Sequence, residues 1–140
     1  MTKITSENIN KKITIKGILV KAEQPHPAYT KIVYQCTSCL AKYESIQNSL
    51  GQINTQYTKP HVCLDCASQT FKINLLECEF TDIQKAEFKV NNQLIEVYFK
   101  NSLCNEYENG YYEITGVLRV NTGATPFYYY LDNVDMIRRI

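Results

Sequence analysis

Two Cys-x-x-Cys pairs constrain this chain more than any other feature. They are Cys36-Thr37-Ser38-Cys39 and Cys63-Leu64-Asp65-Cys66, separated by the stretch from Leu40 to Val62. Pairs spaced in this way are the sequence form of a four-thiolate zinc site, each turning tightly enough to bring both sulfurs to one ion. The stretch between them is long enough to return as a small antiparallel hairpin. Four thiolates fill the tetrahedral shell of a divalent ion and leave no position for substrate water. The expected Zn2+ is therefore structural rather than catalytic. Two disulfides, or four unrelated thiols, are the competing reading of the same residues. The N-terminus shows no signal-peptide pattern, and paired Cys-x-x-Cys motifs inside cells bind metal more often than they cross-link. His61 is an alternative to one of the four cysteines. Leu40 and Ala67 follow the two pairs where many zinc knuckles carry glycine, which asks more of the backbone there.

A chain of 140 residues, 44% hydrophobic and 21% charged, is ordinary for one globular domain. The ribbon around the cysteines is a satellite, too small to hold itself by apolar burial without its metal. A formal net charge of +1 neither announces nucleic acid nor excludes it. No apolar run approaches the roughly 20 residues of a membrane span. Cys78 and Cys104 stand apart and are expected to pack as small hydrophobes. Tyrosine and β-branched residues abound and tryptophan is absent, a balance that favours strands.

Residues 1–11 are polar, read as a flexible N-terminus in which Ser6-Glu7-Asn8 opens at most a helical turn. From Lys12 onward Ile13, Ile15, Gly17 and Leu19 share one strand face. Gly17 suggests a bulge or sharp bend. Pro25-His26-Pro27 breaks this strand, and a second one, Tyr29 to Gln35, runs into Cys36. Inside the insertion, placed at about 36–69, Leu40 to Gln47 forms one arm and Asn48 to Gln56 a polar tip. Alternation resumes at Phe71, Ile73 and Leu75. Phe80, Ala86, Phe88 and Val90 follow on one inward face, and Ile95, Val97 and Phe99 on the next. Asn91-Asn92 is a hairpin turn signal. Asn101 to Asn109 is the non-strand stretch of size. Tyr112, Ile114, Leu118 and Val120 alternate around Gly116, and Phe127, Tyr129 and Leu131 form the last strand. The pattern predicts an all-β chain: a five-stranded oligonucleotide-binding (OB) barrel over 12–140, with the zinc ribbon inserted after its second strand. A β-sandwich is the alternative.

Four ordered pieces carry a family resemblance. Ile15-Lys16-Gly17-Ile18-Leu19-Val20-Lys21 is similar to an opening V-x-G-I-V-T-R strand. The second strand enters the paired cysteines. Phe80-Thr81-Asp82-Ile83-Gln84-Lys85 is similar to F-x-D-x-Q-K. Tyr111-Tyr112-Glu113-Ile114-Thr115-Gly116-Val117-Leu118-Arg119 looks like V-x-V-T-G-x-x-R. In this order they resemble the N-terminal OB region of the MCM replicative helicases of archaea and eukaryotes. The resemblance implies an OB fold, self-association or association with MCM-type subunits in rings, and DNA as partner, single-stranded first and double-stranded second. It also implies an intracellular protein, nuclear in a eukaryote and cytoplasmic in an archaeon.

The chain departs from that pattern in several places. No helical subdomain precedes the OB portion within these 140 residues, and no G-x-x-x-x-G-K-[S/T] phosphate loop follows it. No His–carboxylate–nucleophile set is visible either, so no catalytic residues and no enzyme are expected. The loop from Asn121 to Pro126 is short and uncharged where the family hairpin is basic, and Asn92-Gln93 stands where Pro-Arg is common. Among the cations Lys12, Lys16, Lys21, Lys85, Lys89 and Arg119, the DNA-binding set is expected to be Lys21, Lys85, Lys89 and Arg119. Tyr29, Tyr98, Tyr111 and the Tyr128-Tyr129-Tyr130 run are aromatic platforms in this reading. Set against it is the simpler reading that most of these tyrosines pack or cover the barrel. Two other functions compete: an interaction module with little DNA affinity, and a single-strand binder like the large subunit of replication protein A.

Overall fold

The structure is a computed structural model and describes residues 4–46 and 60–140. Its strands are β1 (Lys12–Ala22), β2 (His26–Cys36), β3 (Lys42–Ile46), β4 (Phe71–Ile73), β5 (Glu79–Val90), β6 (Gln93–Lys100), β7 (Tyr111–Asn121) and β8 (Tyr128–Arg139). Helical structure among the described residues is limited to 3-10 turns at Ser6–Asn8, Leu75–Glu77 and Asn101–Leu103. No helix among them is long and apolar enough to cross a membrane. The chain divides into two compact units, and the described residues fall as 4–27 with 82–140, and 28–46 with 60–81.

In the first unit five strands pair in a closed ring. β1 runs antiparallel to β7, from Lys12 opposite Val117 to Ile18 opposite Tyr111. β7 pairs with β8, β8 lies parallel to β6 through Leu131 and Val97, and β6 returns antiparallel on β5. β5 then meets β1 again, from Lys89 at Ile18 to Ala86 at Ala22. This ring is the five-stranded OB barrel, an architecture that removes free sheet edges by closing on itself. Gly17 lies at the closing seam, where a Cβ would sit 2.7 Å from Val90 Cγ2 and 2.9 Å from the Lys89 carbonyl oxygen. Its role is close approach; the register shift of β1 falls between Leu19 and Lys21. Gly116 occupies the irregularity between Thr115 and Val117, with Asp132 O 2.9 Å from where its Cβ would stand.

The alternation read from sequence places the barrel core correctly over most of its length. Ile13, Ile15, Leu19, Phe88, Val90, Ile95, Val97, Phe99, Tyr112, Ile114 and Leu118 are all buried in one cluster. Phe88 meets Phe99 and Tyr112 edge-on, with ring centroids 6.4 and 6.0 Å apart. Tyr107, from the stretch between β6 and β7, stacks on Phe99 at 4.9 Å. Gln84 is buried beneath that stretch: its amide nitrogen donates to the Glu23 and Asn105 carbonyls at 3.0 and 2.6 Å, and its oxygen accepts from Asn105 N–H at 3.0 Å. Asn91 and Asn92 both take positive φ, 49° and 66°, the two-residue hairpin turn that matches strand twist.

Two corrections concern the barrel. Phe127 precedes β8 and is exposed, and Tyr130, Leu131 and Asp132 are buried in succession rather than at alternate positions. Asn133, at φ 48°, follows this run and falls where the β7–β8 register shifts, between the Val117–Asp132 and Thr115–Met136 pairs.

In the second unit β2 lies between two strands: Tyr34 faces Tyr43 of β3 on one side and Ile73 of β4 on the other. Ile32, Val33 and Tyr34 are buried consecutively, as in a strand covered on both faces. β2 begins at His26, earlier than the prolines suggest. Its run from Ala28 belongs to this unit, so the barrel's second strand is β5 and not the stretch from Tyr29 to Gln35. β4 ends at Ile73, and both Ile73 and Leu75 are exposed. Phe80 is also exposed, with its ring lying 4.8 Å from that of Tyr29. The polar tip expected at Asn48 to Gln56 lies outside the described residues.

Candidate metal centre

The two cysteine pairs fold as near copies of one another. Cys36 N–H donates to Ala41 O and Leu40 N–H to Cys36 O, at 2.8 and 3.0 Å. Cys63 N–H donates to Ser68 O and Ala67 N–H to Cys63 O, both at 2.8 Å. In each knuckle the residue after the second cysteine is left-handed, Leu40 at φ 66° and Ala67 at φ 62°. These are the positions where glycine is absent from the sequence, so both knuckles adopt the turn at a conformational cost that glycine would spare. Thr37 and Thr70 tie the knuckles together through their hydroxyls at 2.6 Å.

The result is four sulfurs within 4.8 Å of one another. Cys36 and Cys66 sulfurs are 3.5 Å apart, and those of Cys39 and Cys63 3.4 Å. All four are free thiols, and these separations are far beyond a disulfide bond. They approach the edges of a tetrahedron around Zn2+, about 3.8 Å for zinc–sulfur bonds of about 2.3 Å. His61 is exposed and outside the cluster.

The thiols are electrostatically unequal. The Tyr43 hydroxyl, then the Cys66 and Asp65 amides, hold Cys63 down to about 6. The Cys39 and Ser38 amides hold Cys36 below the ordinary thiol range. Against the Ala41 amide, the neighbouring thiol of Cys63, burial, and the thiols of Cys66 and Cys36 push Cys39 up to about 12. The Cys66 thiol is also raised, against the Ser68 amide and the Cys39 thiol, by burial and the thiols of Cys36 and Cys63.

Tyr43 of β3 was not singled out from sequence. Its hydroxyl donates to Cys63 Sγ at 3.5 Å and accepts from Leu64 N–H at 2.8 Å, while Phe71 meets its ring edge-on at 5.8 Å. A tyrosine four residues after Cys39 is near the site by sequence, but no spacing rule says where its hydroxyl points. Cys78 and Cys104 are half-buried and bonded to backbone. Cys78 accepts from Val33 N–H at 3.3 Å and donates to Asn74 O at 3.2 Å, and Cys104 lies 3.7 Å from Phe99 O.

The candidate DNA residues lie on the barrel unit. Lys21, Lys85 and Lys89 share the β1–β5 surface. Lys21 and Lys89 are exposed and form no ion pair among the described residues. Lys85 is half-buried, with its ammonium 3.6 Å from Glu96, which also accepts from the Tyr98 hydroxyl at 2.8 Å. Glu96 stands directly opposite Glu87 across β5 and β6, an acidic pair that the sequence reading passed over. Arg119, on β7, donates to Asn10 Oδ1 at 2.8 Å, while its buried Nε has no partner among the described residues. Among the tyrosines, Tyr130 is buried, Tyr98 meets it edge-on at 5.7 Å, and Tyr111 is exposed.

A closed five-stranded OB barrel joined to a four-thiol insertion is the class that fold and site define. The MCM OB domain model matches residues 1–122, and the chain belongs to that family. Its structure is similar to the crystal structure of the N-terminal domain of an archaeal MCM, with a TM-score of 0.76 and 25% identity. That match covers 98% of this chain and 59% of the other. No curated protein sequence matches.

Proposed function

We propose that Cys36, Cys39, Cys63 and Cys66 hold one structural Zn2+. On this basis the chain is an intracellular DNA-binding and ring-assembly module of the MCM type, carrying no catalytic step of its own. The carrying observation is the conjunction of a closed OB ring with four converging thiols in a member of the MCM OB family. When bound, the ion supplies folding energy by cross-linking the two knuckles. Single-stranded DNA is the partner this reading favours, with phosphates on Lys21 and Lys89. Lys85 and Arg119 are second-rank contacts, because each already serves a neighbour within the barrel unit.

The competing reading, an interaction module with little DNA affinity, draws its support from Glu87 and Glu96, whose charges oppose phosphate between the two outer lysines. A fluorescence-anisotropy titration of labelled single-stranded DNA at low salt separates the two. The DNA reading expects micromolar or weaker binding whose salt slope falls by about 0.7 for each phosphate contact removed. Replacing Lys21, Lys85 and Lys89 together by Ala should abolish most of the signal with the fold intact. A parent protein that assembles with concentration but never shifts the DNA would establish the interaction module instead.

A further inference from the structure

The two knuckles match in backbone, but they do not match in what surrounds their sulfurs. Among the described residues, Tyr43 is the one side chain other than the cysteines that donates to any of the four thiols, and it donates to Cys63 alone. The same hydroxyl accepts from the amide of Leu64, the residue that follows Cys63. An amide, a hydroxyl and a sulfur therefore form a chain in which each bond polarises the next. The Phe71 ring edge fixes the phenol plane, and Tyr43 sits in β3 directly opposite Tyr34 of the buried strand β2. Cys63 is itself buried, at 2% exposure, whereas Cys39 and Cys66 are exposed.

We infer that Tyr43 is a positioning residue for the metal centre, which orients the Cys63 thiolate and draws charge from it so that the bound ion is retained. The inference rests on the zinc reading above. Four thiolates around Zn2+ carry a net charge of −2, and the donor to Cys63 lowers the basicity of one of them. With the donor gone, nothing among the described residues but its own backbone and the other cysteines holds the Cys63 side chain in its present orientation toward the other three sulfurs. Outer-shell partners of metal ligands typically contribute 10–100-fold to metal affinity.

Tyr43→Phe keeps the ring and its contact with Phe71 and removes only the hydroxyl. Native mass spectrometry of freshly purified parent and variant should show one zinc in each. Transfer of that zinc to a colorimetric chelator should be about tenfold faster in the variant. With Co2+ in place of zinc, the thiolate-to-metal charge-transfer band should move to lower energy in the variant, a shift that loosened packing alone does not produce. Phe71→Leu loosens the ring but keeps the hydroxyl, and should leave the band where the parent has it. A zinc-loaded parent with Tyr43→Phe unchanged in both transfer rate and band overturns the inference, and leaves the zinc reading standing. A Phe71→Leu variant that reproduces both effects overturns it as well. A parent that carries no metal overturns the zinc reading and this inference with it.

Discussion

The barrel and the four-cysteine unit solve the same problem with different means. In the barrel, apolar side chains from every strand pack into one buried cluster, and the five strands pair in a closed ring. In the second unit the buried apolar side chains among the described residues are Ile32, Val33 and Tyr34 beside two cysteines. Several of its other large apolar residues are exposed, Leu64 at 84% and Leu76 at 99% among them. At about 1.5–3 kcal/mol for each fully buried large side chain, a handful of them does not offset the cost of ordering the backbone that carries them. The contrast sets a region held by apolar packing against one whose four converging thiols fit the proposed ion.

The largest way to break this comparison is at the thiols. Cys36→Ser or Cys63→Ser should release the ion and unfold the second unit while the barrel persists. Structural zinc contributes about 10–16 kcal/mol in small metal-held modules. Hydrogen exchange should lose protection at Ile32 to Tyr34 and keep it at Phe88 and Ile114. Equal loss at both sets would show that the regions share one cooperative core. Next in size is the converse experiment. Phe88→Ala should cost the barrel about 3–5 kcal/mol in denaturant unfolding and leave the metal content at one ion per chain. A proportional loss of zinc would refute the separation. The smallest effect sharpens it: Leu40→Gly and Ala67→Gly should each relieve left-handed strain by roughly 1 kcal/mol or less, because only glycine takes that conformation freely. The gain should appear as tighter zinc retention, with the unfolding midpoint of the barrel unmoved.

Much of the site was legible because thiol spacing is a geometric statement, and Leu40 and Ala67 were visible as glycine-like positions before any coordinate. The barrel core was legible where strands alternate simply, as at Ile95, Val97 and Phe99. Alternation tells which residues share a face and says nothing about whether that face is covered. This is why Phe80 and Phe127 were misplaced. The unit to which β2 belongs was hidden for a related reason: a buried strand reads the same in a barrel wall as between β3 and β4. Gln84 and Tyr43 act through one directed hydrogen-bonding group each, and hydrogen-bond direction leaves no trace in residue order.

The seam at Gly17 also sets a schedule for folding. Thr14 on β1 meets Thr115 on β7 across 101 residues of chain, whereas Cys36 and Cys66 meet across 30. Distant pairings are slow to form because the intervening loop must be closed before any contact is gained. On a ribosome, the four thiols can come together while the far wall of the barrel has yet to be synthesised. The first strand then waits, unpaired on both sides, until β5 and β7 emerge to close around it. The four-cysteine unit can thereby form before the barrel closes.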